Sequence, residues 1–255
     1  MGAPPEPLLL TLDRGNTTLD AMLRGGDLGK PRRARLRSDD DGALRAFLGD
    51  LRPALCVGVT VVRDGLSHAE VELRGLELRL QLADRDIRCP LQLDYRTPQT
   101  LGADRWVAAV AAHRRVGGAT VVVDCGSATT VDFVAGDGTF CGGAIAPGLP
   151  AMAEGMQRVT PQLPKGDPAG SVAIPSPSTT VAVHTGLAMS FCGAVERLVA
   201  DTLAGCDGSA AVVITGGHAE HYLRHGRLQV DHVPDLVHQG LAAIAAGAAG
   251  QPCSS

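Results

Sequence analysis

The sequence has few aromatic residues and almost no lysine. Phe, Trp and Tyr make up only 3% of the 255 residues, so the core has to be built from Leu, Val, Ala and Ile. Lys30 and Lys165 are the two lysines, and arginine carries nearly all of the positive charge. The formal net charge is −4, whereas nucleic-acid binding needs a surplus of cations to neutralise phosphates. We therefore expect no nucleic-acid partner.

Paired cysteines, long apolar runs and a P-loop are also missing. The seven cysteines are scattered without a Cys-x-x-Cys pair, which argues against a disulfide framework or a structural zinc site. No apolar run reaches the length of a membrane span, and the first residues lack the features of a signal peptide. These absences predict a cytoplasmic protein with no membrane partner. Without a Gly-x-x-x-x-Gly-Lys-Ser/Thr motif, backbone amides and metal ions would have to supply the charge of the P-loop lysine.

The most distinctive stretch that is present is a β-branched run followed by an acid and a glycine turn. Residues 121–133, VVVDCGSATTVDF, consist of an apolar strand, an Asp-x-Gly-Ser-x-Thr segment and an alternating return strand. Small hydroxyl residues and backbone N–H groups at such a turn can bind a phosphate, and the carboxylate of Asp124 can hold a metal. The pattern predicts a β-hairpin with an acid at the end of its first strand.

A second copy of this pattern lies near the N-terminus. Residues 8–23, LLLTLDRGNTTLDAML, place Asp13 before a glycine turn and a return strand. Two similar hairpins, each near the start of one half, favour a duplicated α/β architecture with domains at residues 1–113 and 114–255 and an active cleft between them. The alternative is two ordinary hairpins, because Asp and Gly are common in turns.

The loop that enters a helix near the middle of the sequence carries an acid and a base side by side. Asp104 and Arg105 follow Gly102 and are expected in the first turn of an alanine-rich helix. A carboxylate there is stabilised by the helix dipole, so a simple helix cap is one interpretation. The adjacent charges beside a glycine, close to the expected cleft, favour a catalytic site as the other interpretation.

Later segments give weaker signals. Residues 161–177 are rich in Pro, Gly and Ser and predict a long loop or lid, after which Ser178 to Thr180 begin a helix. The double glycine that follows the apolar run 211–215 would let a backbone approach a nucleotide, or would form a plain strand-to-helix turn. The arginine-rich run 30–37 could contact nucleic acid or an anionic ligand, but the favoured interpretation is an exposed edge strand. A C-terminal helix at 240–247 should pack into the second half.

Three histidines and a glutamate near residue 220 could together bind a metal ion. One helix face would carry His218, His221 and His225 with Glu220, but their spacing differs from the His-Glu-x-x-His pattern. A solvated polar face is the favoured interpretation.

Taken in order, these features resemble the type III pantothenate kinases. The specific signal is Tyr95-x-x-Pro98-x-x-x-Gly102-Ala103-Asp104-Arg105, and the resemblance extends from about Leu8 to Gly247. That family belongs to the superfamily of acetate kinase, sugar kinases, Hsp70 and actin. The resemblance implies an α/β fold of two duplicated ribonuclease-H-like domains around a nucleotide cleft. It also implies ATP-dependent phosphorylation of pantothenate to 4′-phosphopantothenate, the first step of coenzyme A biosynthesis.

The resemblance further implies roles for individual residues. ATP would contact the first phosphate loop, in which Asp13 would lie near the magnesium (Mg²⁺) of Mg-ATP. The residues of this loop are Asp13, Arg14, Gly15, Asn16, Thr17, Thr18, Leu19 and Asp20. Ser127 would contact ATP from the second phosphate loop, and Asp124 would bind a monovalent cation, K⁺ or NH₄⁺. Asp104 would be the general base. The pantothenate site would consist of Tyr95, Gly102, Ala103, Asp104, Arg105 and Thr179. Members of the family are usually homodimers.

Three positions depart from the family pattern. Arg14 stands where an aliphatic residue is usual, Ser127 replaces a threonine, and the lysine often found near Thr179 is missing. The sequence alone leaves two alternative functions open. One is another kinase or phosphatase of the superfamily that acts on a different small acid or sugar. The other is a non-catalytic regulatory homologue, against which the intact Asp13, Asp104 and Asp124 argue.

Overall fold

Two β-sheets organise the chain, one in each of two units. A computed structural model describes residues 6–15, 18–37, 40–206 and 209–248. The first unit comprises Met1–Leu91, Thr97–Ala111 and Leu236–Ser255, and the second comprises Gln92–Arg96 and Ala112–Asp235. The expected α/β class is confirmed.

Strands and helices are interspersed along the chain. The strands are β1 (Leu9–Arg14), β2 (Thr18–Arg24), β3 (Arg32–Arg37), β4 (Leu55–Thr60), β5 (Leu80–Leu82), β6 (Gln92–Leu93), β7 (Thr120–Cys125), β8 (Ala128–Val134), β9 (Thr139–Pro147), β10 (Ala211–Thr215) and β11 (Asp231–His232). The helices are α1 (Ala43–Leu48), α2 (Ser67–Arg74), α3 (Ala103–Val116), α4 (Leu149–Val159), α5 (Thr179–Ala204), α6 (Ala219–His225) and α7 (Leu236–Ala248). Among the described helices, none has both the length and the apolarity that crossing a bilayer requires.

The sheet of the first unit has the strand order β3-β2-β1-β4-β5. Strands β1 to β3 are antiparallel neighbours, and β4 runs parallel to both β1 and β5. Strand β3 is an edge strand, as the arginine-rich run predicts. Because side chains alternate along a strand, Leu10 and Leu12 of β1 face the core they share with α1 and α2, while Thr11 and Asp13 face the other way.

Helix α7 packs on β1 and β4 of the first unit. The expectation that the C-terminal helix packs into the second half is therefore wrong. Leu241 is fully buried and Ile244 is 4% exposed, so the helix completes the first unit although it comes last in the sequence. At Gly240 a β-carbon would lie 2.1 Å from the carbonyl oxygen of Val107, which shows how closely α7 approaches α3.

The sheet of the second unit has the order β11-β10-β7-β8-β9-β6. Strands β7 to β9 are antiparallel neighbours, and β10 runs parallel to β7 and β11. The order β9-β8-β7-β10-β11 repeats the order and strand directions of the first sheet, which confirms the duplicated architecture. The glycine-rich segment 141–147 is part of β9, which pairs along β8.

The domain boundary between residues 113 and 114 stays a prediction. The first unit's middle segment ends at Ala111, inside α3, and the second unit resumes at Ala112. The main difference is α7, which a division of the sequence into two continuous halves assigns to the second domain.

Candidate active site

The predicted first phosphate loop, Asp13 to Asp20, overlaps the ends of two strands. Strand β1 extends to Arg14 and β2 begins at Thr18. Asn16 and Thr17 lie outside the described residues. Asp13 pairs with Asp20 across the hairpin, which places both side chains on the same face of the sheet. The structure thus brings two of the predicted site residues together.

The carboxylate of Asp20 is held by arginines from β3. Arg33 donates from Nε to Oδ1 at 2.9 Å and from Nη2 to Oδ2 at 2.6 Å, and Nε of Arg35 lies 3.6 Å from Oδ2. Burial would raise the pKa of Asp20, but His238 and Arg33 outweigh it, so the pKa lies well below its ordinary value. The assignment of Asp20 to ATP stays a prediction, and the structure gives its carboxylate these protein partners.

The side chain of Arg14 points to the opposite face from that of Asp13. It is 9% exposed and lies directly across from Leu19, on the face that packs against α1 and α2. Nη1 donates to the carbonyl oxygen of Gly15, while the buried Nε has no hydrogen-bond partner among the described residues. The guanidinium therefore lies on the face of the sheet opposite to Asp13.

Asp104 lies in the first turn of α3, as the sequence predicts. Burial raises its pKa above the ordinary value, against the lowering effects of the Arg105 backbone N–H and guanidinium. At Gly102 a β-carbon would lie 2.6 Å from Oδ1 of Asp104, so the absence of a side chain there leaves room for the carboxylate. A carboxylate made more basic by burial is suited to accept a proton.

Asp124 occupies the same position in the second sheet as Asp13 in the first. It pairs with Thr130 of β8 and with Thr215 of β10. The turn after β10 folds over it: at Gly216, whose φ is +95°, a β-carbon would lie 2.3 Å from Oδ1 of Asp124. The backbone N–H of His218 donates to the carbonyl oxygen of Cys125 at 2.9 Å. Gly216 therefore allows the close approach to Asp124, while the expected approach of this backbone to a nucleotide stays a prediction.

Ser127 is exposed at the turn between β7 and β8, where a nucleotide could reach its hydroxyl. Gly148 caps α4 and donates its N–H to the carbonyl oxygen of Ser127 at 3.1 Å. A β-carbon at Gly148 would lie 2.3 Å from the carbonyl oxygen of Gly126, so this contact requires glycine. The structure thus places the N-terminus of α4 next to the turn, a contribution that the sequence did not reveal.

The residues predicted to bind pantothenate come from both units. Tyr95 belongs to the second unit, where its ring packs edge-on to Phe140 with centroids 6.1 Å apart. Thr179 is exposed at the first position of α5, whose N-cap is Ser178. Gly102 to Arg105 belong to the first unit. The common pocket of these residues stays a prediction.

The three late histidines do not form a solvated face. His221 is 7% exposed, and its ring packs against Phe191 and His225 with centroids 5.9 and 4.8 Å away. Burial and the neighbouring His225 lower the pKa of His221. Within residues 6–15, 18–37, 40–206 and 209–248, no group of three or more His, Cys, Asp or Glu side chains could hold a metal ion. The expectation of a solvated face is wrong for His221, because α6 packs on α5.

Known proteins of one family are similar to this chain over most of its length. The family model described as type III pantothenate kinase matches residues 9–201. A type III pantothenate kinase of Azoarcus sp. (strain BH72) is 34% identical over 258 residues, which covers 96% of this chain and 94% of that protein. The type III pantothenate kinase of Thiobacillus denitrificans is 42% identical over a shorter match, which spans 60% of this chain and 62% of that protein.

Solved structures agree at the level of the fold. A glucokinase from an Antarctic psychrotroph superposes with a TM-score of 0.51 at 13% identity, over 96% of this chain and all of that one. Such low identity supports the shared duplicated fold alone. The match of the family model and the nearly full-length relative show that this chain belongs to the type III pantothenate kinase family.

Proposed function

We propose that the protein transfers the γ-phosphoryl group of ATP to the primary hydroxyl of pantothenate, which yields 4′-phosphopantothenate and ADP in the first step of coenzyme A biosynthesis. The observation that supports this most is Asp104, a carboxylate in the first turn of α3 whose pKa is raised by burial, in a chain of this family. The reaction needs one such base together with charge neutralisation at the phosphates.

Asp104 would act as the general base. The hydroxyl proton would pass to its carboxylate while the hydroxyl oxygen attacks the γ-phosphorus. The bond between that phosphorus and the bridging oxygen would break, and ADP would leave with the bonding electrons. Gly102 would serve this step by leaving space for Oδ1 of Asp104. Arg105, 6% exposed, would place a cation next to the base.

The acidic residues at the ends of β1 and β7 would serve the cations of the nucleotide. Mg²⁺ is commonly held by one or two protein carboxylates together with substrate phosphates, so Asp13 suffices without a dedicated protein cage. Asp124, with the Gly216 turn folded over it, would hold K⁺ or NH₄⁺. When bound, these ions neutralise charge on the β- and γ-phosphates. ATP would also meet the hydroxyl of Ser127 and the backbone N–H groups of both turns, and Tyr95 and Thr179 would complete the pantothenate site.

A homodimer in the cytoplasm is part of this proposal. Gly186, Ser190 and Gly193 form an exposed stripe of small residues on α5. A β-carbon at either glycine would meet no heavy atom within 4 Å in the part of the chain that the structure describes, so the stripe is open there. We propose that it packs against a second copy of the chain, because small residues let two helices approach closely.

The deciding experiment is a coupled assay of ADP release with pantothenate and ATP, with and without K⁺ or NH₄⁺. Pantothenate-dependent turnover that rises with the monovalent cation would support the proposal, and Asp124→Asn should lose that rise. Sugars and other small hydroxy acids serve as control substrates. If one of these is phosphorylated and pantothenate is not, the chain is a different kinase of the superfamily; if none is, a regulatory role follows.

A further inference from the structure

A buried polar cluster links the last helix to the hairpin that carries Asp13. His238 of α7 is 1% exposed. Its Nδ1 lies 2.8 Å from Oγ1 of Thr11, and its Nε2 lies 3.4 Å from Oδ1 of Asp20. The second approach is within ion-pair distance but lacks the geometry of a hydrogen bond. Thr11 and Asp20 sit on the two strands of the hairpin, so one ring contacts both.

The register of the sheet places Asp13 at the edge of this cluster. Thr11 lies two residues before Asp13 on β1 and faces the same way. Asp20 is the direct cross-strand partner of Asp13. Two carboxylates opposite each other in a sheet repel, at a Cβ separation of about 5 Å. The position of Asp13 therefore depends on what neutralises and holds Asp20.

Asp20 is held from two sides. Arg33 and Arg35 approach it from β3, and His238 approaches it from α7. The arginines are on the partly open edge strand, where the Arg33 side chain is 35% exposed, whereas the His238 side chain is 2% exposed. In the tautomer with the hydrogen on Nε2, that N–H faces the Asp20 carboxylate 3.4 Å away. Nδ1 then either accepts from the Thr11 hydroxyl or donates to it while that hydroxyl donates to the Met22 carbonyl oxygen at 3.3 Å.

We propose that His238 is a positioning residue for the first phosphate hairpin: by holding Thr11 and Asp20 together from α7, it fixes the orientation of the Asp13 carboxylate toward the nucleotide. The proposal rests on the proposed function in that Asp13 serves Mg-ATP. It gives the last helix of the chain a part in the reaction. It also accounts for a polar side chain in a helix that otherwise buries Leu236, Leu241 and Ile244.

The test compares three variants of α7. His238→Leu removes both polar contacts at similar volume, His238→Gln keeps a side-chain N–H donor, and Ile244→Ala loosens the packing of the same helix away from the cluster. We expect His238→Leu to lower kcat by about ten-fold, since small misplacement of a reacting group is costly. Its Mg²⁺ midpoint should shift several-fold and its KM for pantothenate should stay unchanged. His238→Gln should recover most of the loss.

Stability must be separated from positioning. Thermal unfolding shows whether His238→Leu and Ile244→Ala are destabilised to a similar extent, and both are assayed at a temperature at which they remain folded. If Ile244→Ala shows the same fall in kcat and the same Mg²⁺ shift, or if His238→Leu shows neither, the positioning role is wrong.

A second measurement needs no turnover. Hydrogen exchange of the backbone amides at the end of the β1–β2 hairpin should become faster in His238→Leu than in Ile244→Ala, because only the former releases Thr11 and Asp20. Equal exchange in the two variants would overturn the inference. If the wild-type protein does not phosphorylate pantothenate, the proposed function fails, while the exchange result still decides the part of His238.

Discussion

At the scale of single residues, burial of Asp104 has a cost for the fold and would favour the role as general base that we propose for it. Its pKa in the folded chain is raised by burial above the value in the unfolded chain. The stabilising contribution of its protonated form is present below the unfolded pKa and is lost as the pH rises through the folded pKa. At neutral pH the ionised carboxylate therefore lowers the free energy of unfolding, which is a common property of catalytic groups.

Asp104→Asn should consequently separate activity from stability. We expect kcat to fall by about 10² to 10⁴, the usual contribution of a general base, while Mg-ATP binding and the melting temperature are retained or slightly raised. In the wild-type protein, kcat should fall as the pH drops through the raised pKa of Asp104. Steady-state kinetics across pH and thermal unfolding measure both effects. Wild-type turnover in Asp104→Asn would contradict the assignment.

Gly102 offers a second test at this scale. In Gly102→Ala the new β-carbon would lie 2.6 Å from Oδ1 of Asp104, so the carboxylate has to rotate away. We expect a fall in kcat of about ten-fold or more with little change in melting temperature, because a short side chain can move at small cost.

Gly118→Ala is the matched control for this change, since a β-carbon at residue 118 meets no heavy atom within 4 Å. Its kcat should equal that of the wild-type protein. Equal kcat in Gly102→Ala and Gly118→Ala would show that the space beside Asp104 does not matter.

At the scale of elements, the two hairpins were predictable and the position of α7 was not. The hairpins are encoded locally, by alternation around Asp13 and Asp124 and by the glycine after each acid. The first turn of α3 was likewise evident from Asp104 and Arg105. Helix α7 is apolar on several sides, so its sequence indicates burial without indicating against which sheet.

The contact between His238 and Thr11 shows the same limit within the candidate site. It joins residues 227 positions apart, and no spacing rule links them. Asp20 was expected to contact ATP because it lies in the hairpin motif. Its partners Arg33 and Arg35 become visible only once the register of β2 and β3 is known.

The packing of α7 gives a prediction of its own. In Gly240→Ala the new methyl group would lie 2.1 Å from the Val107 carbonyl oxygen, so α7 must shift away from α3. We expect the free energy of unfolding to fall by about 1–3 kcal/mol, as for other overpacked sites. Denaturant unfolding measures this loss.

Gly247→Ala, on the same helix, is the control. A β-carbon there meets no heavy atom within 4 Å, and alanine favours a helix over glycine. This variant should gain about 0.5–1 kcal/mol. A gain in both variants would show that α7 does not pack closely against α3.

At the scale of the whole molecule, Asp13 and Asp124 occupy equivalent positions in the two sheets but have different neighbours. Asp13 faces a second carboxylate, Asp20, and the arginines that neutralise it. Asp124 faces Thr130 and Thr215 and is covered by a glycine turn. The same position in a repeated fold can therefore serve two different cations, as we propose for Mg²⁺ and a monovalent ion.

The proposed dimer is tested at the same scale. Gly186→Leu places a large side chain on the exposed stripe of α5, at a position where a β-carbon would meet no heavy atom of the described residues within 4 Å. We expect the helix content to be preserved and the dimer to dissociate, since a leucine would hold the two helices apart. Analytical ultracentrifugation over a range of concentrations measures the association. A dimer of unchanged affinity would place the interface elsewhere.

The position of α7 also sets the order in which the chain can mature during synthesis. The long segment Ala112–Asp235 of the second unit leaves the ribosome in one piece, whereas the first sheet has to wait for a helix that begins at Leu236. Until then one face of β1 and β4 lacks its cover and His238 is absent from Thr11 and Asp20. The first unit, whose sheet is synthesised first, is therefore the last to complete its fold. A nascent chain arrested before residue 236 should expose the uncovered face of β1 and β4 to chaperones and proteases.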